Sequence, residues 1–499
     1  MVIAPPTDRS ARRNRRSSSA RARRHVPGET CACCSPAVQA ILQRVMNAGI
    51  ASPENGVPLA AVTPHVENHP VGHDTLTASV RQPEVFSNVR LFDGINLEIQ
   101  TGRAVLVEGD RITAVIDAGE KIADAQVIDG RGALLMPGLI DAHWHSTLCA
   151  IPQMVAMTAD PGYIHLVAAR EAGRTLLRGF TTVRDAGGPS FALKRAIDEG
   201  ITPGPRIFPS GAMISQTSGH GDFRLRGEIP RSPAGPLSHA EVLGASMIAD
   251  GEAEVLRRVR EQLMLGATQI KLMAGGGVTS SYDPLDSLQY TDKELRAGVA
   301  ASSDWGTYVM VHVYTPGGIQ RAIRAGVRSI EHGQLADEET ARIMAGEGVW
   351  WSLQPFFGDE DANAHDAAGH AKQRLVAEGT ARAYELARQY KIKTAWGTDI
   401  LFSPANLPNH ARQLAKLTRF YAPLELLRMA TGSNGELLKM SGPRNTYGGD
   451  LGVITPGALA DMLLVEGDPT KDLDFLTDPD NLLVIMKGGV RVKDILPAH

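Results

Sequence analysis

Two histidines stand one residue apart at the end of an apolar run in the decapeptide PGLIDAHWHS, residues Pro137–Ser146. If this run is a β-strand, its side chains alternate between two faces, so His143 and His145 point the same way. Two imidazoles that reach one point are typical ligands of a metal such as zinc. The spacing therefore predicts a metal site at the end of this strand.

Short apolar runs bounded by Gly or Pro make up the middle of the chain, and amphipathic segments with apolar residues three and four apart lie between them. The eight runs are GLIDAHWH, FTTVRDAG, RIFPSGAMIS, ATQIKLMAGG, TYVMVHVY, VRSIEHG, VWWSLQP and IKTAWGTDI. Strands that alternate with helices predict a (β/α)₈ TIM barrel, an α/β fold whose active site lies at the C-terminal ends of the strands.

Four further residues that can bind a metal fall in these runs, in most cases near their ends: Lys271, His312, His332 and Asp399. A single histidine at a strand end is often only a hydrogen-bonded polar residue, and an aspartate before a loop is often a cap. Together with the first two histidines, however, six side chains from five strands would meet at one mouth of the barrel. Their joint placement predicts a metal site there.

Lys271 is the unusual member of this set, because an ammonium group beside metal ions would be desolvated and repelled. Such surroundings favour the neutral amine. A neutral amine can add carbon dioxide to become a carbamate, an anion whose two oxygens can bridge two metals. The alternative is a lysine that extends to the rim or pairs with a carboxylate such as Asp283 or Asp286.

The sequence resembles the metal-dependent amidohydrolase superfamily in five ordered segments: PGLIDAHWH, TQIKLMAGGGV, VHVYTPGGIQRAIRAGVRSIEHG, WGTDI and GALADMLLVEGDP. Within that superfamily it resembles the imidazolonepropionase-like and prolidase-like branch, which includes dipeptidases, carboxypeptidases and ochratoxin-hydrolysing enzymes. The resemblance extends from about Val85 to Lys493. It implies a barrel with a small β-sandwich that both chain ends build.

The resemblance also implies how two divalent ions, usually zinc in this group, would be held. The ligands of the first ion would be His143, His145 and Asp399. The ligands of the second would be His312 and His332. A carboxylated Lys271 would bridge the two ions.

Two divalent ions can lower the pKa of a shared water and polarise a substrate carbonyl. We expect Asp399 to take the proton of that water and pass it to the leaving nitrogen, although a role as ligand alone stays open. The resemblance implies hydrolysis of an amide beside a free carboxylate, as in a dipeptide, an N-acyl amino acid or an ochratoxin-type amide. Alternatives are a cyclic-amide or organophosphate hydrolase on the same site, and a metal-free, non-catalytic scaffold, which the retained ligands disfavour.

Loops after the strands are expected to select the substrate, and they offer four candidates: His220, Arg224, Tyr282 and Tyr314. His220 could donate a hydrogen bond or only cap backbone groups, and Arg224 could clamp a carboxylate. Tyr282 lies in the loop GGGVTSSYDPLDSLQYT, as a pocket residue or as loop packing, and the glycines there would let backbone approach the metals. Tyr314, two residues past His312, would share its face.

Three other histidines are weaker candidates or are excluded. His410, which follows the last run, is a weaker pocket candidate. His365 and His370 are five residues apart on a polar segment, a spacing that favours solvated side chains over metal ligands.

The composition favours an α/β enzyme that acts on a small molecule. The 499 residues carry 51 Lys+Arg and 55 Asp+Glu, a net charge of −4, which gives no electrostatic reason to expect nucleic acid or an anionic membrane. No apolar span of about 18 residues predicts a membrane helix. Reduced thiols are expected for the four cysteines, with a metal or redox role open for the first three: Cys31, Cys33, Cys34 and Cys149.

The chain divides into five predicted parts. Residues 1–30 are an Arg/Ser-rich tail expected to be disordered, 31–83 an N-terminal extension, 84–137 the first part of the β-sandwich, 138–444 the metal-binding barrel and 445–499 the second part of the sandwich. We expect a cytoplasmic protein, because no clean apolar signal segment follows the paired arginines of the tail; export to the periplasm is the alternative. The resemblance also favours a homo-oligomer.

Overall fold

The computed structural model describes residues 82–229, 235–363 and 367–497. The predicted tail, nearly all of the N-terminal extension, the first three cysteines and His365 lie outside the described residues, so the statements about them stay predictions. Among the described residues, no helix combines the length and the apolar character that a membrane crossing requires.

Eighteen strands are described. In chain order they are β1 (Glu84–Leu91), β2 (Gln100–Glu108), β3 (Arg111–Asp117), β4 (Gln126–Asp129), β5 (Leu134–Pro137), β6 (Leu139–Trp144), β7 (Phe180–Asp185), β8 (Arg206–Pro209), β9 (Met213–Ser215), β10 (Ser246–Ile248), β11 (Ile270–Met273), β12 (Val309–Val313), β13 (Ser329–His332), β14 (Trp350–Leu353), β15 (Thr394–Trp396), β16 (Met462–Val465), β17 (Leu482–Lys487) and β18 (Val490–Asp494).

Helices lie mostly between the middle strands. The described α-helices are α1 (Gln153–Thr158), α2 (Pro161–Leu177), α3 (Phe191–Asp198), α4 (His239–Leu243), α5 (Glu252–Met264), α6 (Asp292–Asp304), α7 (Pro316–Arg324), α8 (Glu338–Gly346), α9 (Ala367–Gln389), α10 (Arg412–Ala415), α11 (Pro423–Arg428) and α12 (Asn434–Lys439). Local signals set several of their starts: at α6, for example, Thr291 and Glu294 form a reciprocal capping box.

Strands from both chain ends build one sheet. Its order is β18-β17-β16-β5-β1-β2-β3, with β4 also paired to β1. β5 pairs in antiparallel register with β16, so that the two ends of the chain meet directly in the ladder. The sheet buries apolar side chains from both ends, including Phe86, Leu135 and Leu464. The described strands of this module form a single sheet, and its packing as a sandwich stays a prediction.

The middle strands are parallel and form two further sheets, one of β6-β7-β8 and one of β10-β9-β11-β12-β13-β14-β15. They are almost wholly buried, as parallel strands covered by helices usually are. The alternation of strand and helix was therefore predicted correctly. The run RIFPSGAMIS, however, is two strands, β8 and β9, interrupted by a turn in which Gly211 has a φ of +72°. The three-residue β10 was not predicted.

Side-chain amides bridge the places where the described backbone ladder stops. Between β6 and β15, Asn434 Nδ2 donates to the carbonyl of Ile140 (2.7 Å) and to that of Trp396 (2.8 Å). Between β8 and β11, Gln269 Nε2 donates to the carbonyl of Phe208 (2.9 Å). The first and last strands are thus linked, although their ladder is not continuous, and a closed eight-stranded barrel stays a prediction.

The bridging role of Asn434 predicts a stability defect on substitution. In Asn434→Ala the carbonyls of Ile140 and Trp396 lose a buried donor, and we expect the free energy of unfolding to fall by about 2–4 kcal/mol. Thermal melting of the purified protein measures the effect. Gln389→Ala removes an exposed amide and should change stability by less than about 0.5 kcal/mol. Equal melting temperatures for the two variants would contradict the bridging role.

Candidate metal centre

One cavity lies where the middle strands end, and it brings the sequence-predicted ligands together. Its lining includes all six of them: His143, His145, Lys271, His312, His332 and Asp399. They come from β6 and the residue after it, from β11, β12 and β13, and from the segment after β15. The geometry matches the predicted meeting at one mouth; whether each residue binds metal stays a prediction.

The donor atoms are close enough to share an ion. Single ligand atoms of His143, His332 and Asp399 all lie within 4.8 Å of one another. The Oδ1 atom of Asp399 lies 3.0 Å from His145 Nε2 and 3.5 Å from His143 Nε2. Three imidazoles and a carboxylate at such distances are a donor set that suits zinc and similar divalent ions.

Hydrogen bonds fix which ring nitrogen of the first two histidines faces the cavity. His143 Nδ1 donates to the Glu331 carboxylate (2.7 Å), and His145 Nδ1 donates to the carbonyl of Gly187 (2.8 Å). In both rings this leaves Nε2 on the side of Asp399. An outer hydrogen bond of this kind sets the tautomer and orientation of a metal-binding histidine.

The other two histidines are oriented in opposite senses. His312 Nε2 donates to the carbonyl of Gly276 (3.1 Å), which leaves Nδ1 as its free donor atom. His332 Nδ1 donates to Gln354 Oε1 (2.8 Å), which leaves Nε2. Since Gln354 Nε2 donates to the carbonyl of Ser352 (3.1 Å), its amide is placed with the oxygen toward His332.

Burial favours the uncharged form of three of these imidazoles, those of His143, His312 and His332. It is the main cause that lowers the pKa of His143 and of His312 well below the ordinary value, and nearby Lys271 lowers both further. Burial also lowers the pKa of His332 to about 3, despite the opposing effect of Asp399. Neutral imidazoles are the form that binds metals. These three rings are therefore in the metal-binding form at neutral pH.

Lys271 is buried, and that burial lowers its pKa to about 8. The alternative pairing with Asp283 is not found. Instead, Oδ2 of that carboxylate accepts hydrogen bonds from the backbone of Gly277 (2.9 Å) and from Gln289 Nε2 (2.9 Å). Asp286 is exposed. The predicted shift toward the neutral amine thus has the expected physical cause, namely desolvation.

Two of the candidate ligands have left-handed backbone conformations. His332 has a φ of +72° and Asp399 a φ of +52°, values that residues other than glycine rarely adopt. Such strain, of the order of 1–3 kcal/mol, persists where surrounding contacts hold it and is concentrated at functional sites. At Asp399 one of these contacts is its backbone N–H, which donates to the carbonyl of His143 (2.8 Å).

A buried ion pair lies beside His143, and sequence reasoning missed it. Both oxygens of Glu331 accept from Arg184 (2.8 Å each), and both side chains have zero solvent exposure. Arg184 also donates to the carbonyl of Ala142. The sequence did contain a signal for this ion pair, because Arg184 lies inside the apolar run FTTVRDAG and Glu331 inside VRSIEHG. A charged residue in a buried strand usually has a partner of opposite charge.

Two of the four predicted substrate-binding residues line the cavity. His220 stacks on His312, with ring centroids 3.9 Å apart, and its Nδ1 is 2.7 Å from Ser280 Oγ. Tyr314 meets His312 edge to face at 5.0 Å. Both side chains are buried from solvent and line the cavity, so each can present a polar group to a ligand there.

The other two predicted substrate residues are not in the cavity lining. Arg224 directs its guanidinium to both oxygens of Asp222 (2.7 and 2.5 Å), because the short loop places that carboxylate beside it. Tyr282 is 36% exposed on the loop surface. His410, the weaker candidate, lies in the core, where it donates to Asp141 (2.8 Å) and stacks against Trp144.

The glycine-rich loop passes close to the site, as predicted. A Cβ atom on Gly277 would lie 1.8 Å from His220 Nδ1, and one on Gly276 would lie 1.9 Å from the carbonyl oxygen of Pro284. Only glycine fits at both positions. The carbonyl of Gly276 in turn holds His312.

Helix α9 contributes cavity residues that the sequence did not indicate. His370, which was interpreted as solvated, is exposed, whereas Asn363, Gln373 and Val376, to which no role was assigned, line the cavity. Successive side chains of a helix point in different directions, so one side of a mostly polar helix can still line a pocket.

Comparison with known proteins identifies the family. The Amidohydrolase family matches residues 134–492. Ochratoxinase from Aspergillus niger is 32% identical over 401 residues, which cover 77% of this chain and 82% of that protein. The chain belongs to the amidohydrolase family. It is accordingly a hydrolase that acts on C–N bonds.

Solved amidohydrolase structures share the fold closely. A prolidase complexed with N-methylphosphonate-L-proline superposes with a TM-score of 0.75 and 33% identity, over 83% of this chain and 100% of that one. A Xaa-Pro dipeptidase with methionine in its active site gives a TM-score of 0.71 and 27% identity, over 82% and 100% of the two chains. The α/β fold of the amidohydrolase type and the family branch predicted from sequence motifs are thus supported independently, whereas the closed barrel and the β-sandwich stay predictions.

The close approach of the glycine loop gives a first prediction for this site. In Gly277→Ala the added methyl group has to displace the buried ring of His220, and with it the stacking on His312. We expect turnover to fall by about tenfold or more, since misplacement of about 1 Å can cost 10²-fold. Gly346→Ala, in helix α8 with open space around it, is the matched control. Turnover that survives intact in Gly277→Ala would show that His220 has no role.

The buried carboxylate gives a second prediction. Glu331→Gln removes the charge that His143 and Arg184 share, and we expect metal affinity to fall by about 10–100-fold. Competition with a chromophoric chelator measures it, with the exposed Glu347→Gln as control. Melting temperatures are recorded in parallel because Arg184 loses its partner. A variant that melts lower but binds metal as tightly as the parent would argue for a purely structural role.

Proposed function

We propose that this chain is a binuclear, metal-dependent hydrolase that cleaves a peptide-like amide beside a free carboxylate, as in a dipeptide, an N-acyl amino acid or an ochratoxin-type amide. The observation that carries the proposal is the convergence of four histidines, a buried amine and a carboxylate in one cavity of an amidohydrolase. Relatives named ochratoxinase, prolidase and Xaa-Pro dipeptidase support the amide substrate.

We propose that the donor set holds two divalent ions and that both are zinc. His143, His145 and Asp399 are assigned to one ion, and His312 with His332 to the other. Lys271 is proposed to be carboxylated and to bridge them: its neutral amine adds carbon dioxide and releases one proton. When bound, the ions would act as Lewis acids toward water and the substrate carbonyl.

Asp399 is the residue that we assign to proton transfer. Its side chain is 14% exposed, and Oδ1 lies 3.0 Å from His145 Nε2. Burial raises the pKa of its carboxyl group, but the neighbouring His143, His145 and His332 lower that pKa more strongly. The pKa therefore lies below its usual range, and the side chain is a carboxylate. In the proposed reaction it accepts a proton from the attacking water and delivers it to the departing amide nitrogen.

Two residues are left to hold the substrate. His220 and Tyr314 lie beside His312, where they can donate to the carbonyl oxygen or to the carboxylate of an amide substrate. Arg224 is not assigned this role, because Asp222 already neutralises it. The proposed partner is thus a small-molecule amide, and assembly into a homo-oligomer is a separate proposal that size-exclusion chromatography with light scattering tests.

The function is tested by two substitutions at the centre. Asp399→Asn should retain the fold and lower kcat for dipeptide hydrolysis by about 10²–10⁴-fold. Lys271→Ala should also reduce the metal bound per chain, measured by mass spectrometry of the purified protein. Lys393→Ala, which removes an exposed ammonium paired with Glu436, is the control. A parent protein that binds no metal and gains no activity with added zinc would overturn the proposal.

A further inference from the structure

Two separate apolar surfaces border the cavity. The first belongs to one hydrophobic cluster and includes Val278, Tyr314, Phe356 and Val376. The second belongs to a different cluster and includes Met213, Met273 and Leu401. We call them the α9 wall and the methionine wall. Met213 of the methionine wall lies near His145, since both approach the Cβ position of Gly187. In the α9 wall, Tyr314 contacts the ring of His312 and Phe356 that of His332. The two walls therefore border different histidines of the set.

Charged groups are confined to the metal-binding set. Apart from the histidines, Lys271 and Asp399 are the charged side chains among the described residues that line the cavity. The other polar groups near the walls, such as Asn363 and Gln373, are neutral amides. A charged substrate side chain against either wall would therefore lose its hydration without gaining an ionic partner, which strongly disfavours its binding.

The α9 wall is held in place by a lysine that is not part of the cavity lining. Lys372 Nζ donates to the carbonyls of Gly277 (2.9 Å), Ser280 (2.9 Å) and Asp283 (2.8 Å). It thereby ties helix α9, which carries Val376, to the loop that carries Val278. These bonds fix the helix that carries Val376 relative to the loop that carries Val278. They therefore oppose a movement of the wall that would make room for a charged or bulky group.

We propose that the substrate carries an apolar group on each side of the scissile amide, and that Val376 is a residue that determines this preference. The inference rests on the proposed amide-hydrolase function and adds the class of substrate. Each group would pack on one wall, and burial of apolar area would supply the discrimination.

A matched panel of dipeptides tests the substrate class on the zinc-loaded, full-length protein. The panel holds Leu-Phe, Lys-Phe, Glu-Phe, Leu-Lys and Leu-Glu, so that charge is introduced on one side at a time. We expect kcat/KM for Leu-Phe to exceed that of each charged dipeptide by about 100-fold. Equal values across the panel would overturn the inference and leave the proposed function intact. Failure to cleave any member or any N-acyl amino acid would overturn the function itself.

Substitution of Val376 on α9 tests whether this residue selects the substrate. Val376→Asp should lower kcat/KM for Leu-Phe about tenfold or more and raise the relative rate for one of the two lysine dipeptides, with metal content unchanged. The side of the dipeptide that gains shows which group faces α9. Leu375→Asp, one residue earlier and 52% exposed, is the control and should behave as the parent.

A milder variant covers the case in which Val376→Asp does not fold. Val376→Thr keeps the shape of the side chain and adds one hydroxyl, which is unfavourable in an apolar wall. We expect KM for Leu-Phe to rise several-fold while kcat and the metal content stay near the parent values. An unchanged KM in a folded Val376→Thr protein would exclude this residue from selection of the substrate.

Discussion

The carboxylate of Glu331 is the charge on which the geometry of the centre depends. It accepts hydrogen bonds from Arg184, from Ser329 Oγ (2.6 Å) and from His143 Nδ1, and none of its surface is exposed. Removing one partner of such a group costs several kcal/mol, because an uncompensated charge remains in the interior. The three partners therefore hold β6, β7 and β13 in one relative position. The same contact fixes which nitrogen of His143 faces the cavity, so the stability of the core and the orientation of this candidate ligand have one cause.

A second buried carboxylate, that of Asp141, connects the first and last of the middle strands, β6 and β15, between which the backbone ladder is not continuous. Asp141 accepts from the backbone of His143 (2.8 Å), from Thr398 Oγ (2.7 Å) and from His410 Nε2 (2.8 Å). It thereby joins the strand that carries the first two ligands to the segment that carries Asp399. His410 is thus relevant to the site through Asp141, which binds the backbone of His143, although His410 itself does not line the cavity. Precise ligand placement here depends on side-chain hydrogen bonds more than on the regular pairing of strands.

The sequence was most informative where one periodicity determined the outcome. The two-residue repeat of a strand was sufficient to place His143 and His145 together, and alternating strands and helices brought ligands from distant segments to one end. The loops have no such rule. Arg224 was expected in the pocket, but a carboxylate two residues away binds it, a contact that depends on the local loop conformation. Tyr282, for which a pocket role and loop packing were both open, lies exposed and outside the cavity lining, and Val376, which no pattern indicated, is part of that lining. The direction of a loop or of one helix face follows from packing that no single segment encodes.

The proposed chemistry and the proposed substrate selection involve different residues of this amidohydrolase. The candidate ligands lie at strand ends, whereas two residues of the α9 wall, Val278 and Val376, come from a loop and a helix that Lys372 joins. Because the acceptors of Lys372 are backbone carbonyls, they are present whatever side chains the loop carries. Side chains such as Val278 can therefore change without loss of the clamp, and without a change at any ligand. A scaffold with this property can acquire a new substrate range through its walls alone, while the metal chemistry stays the same.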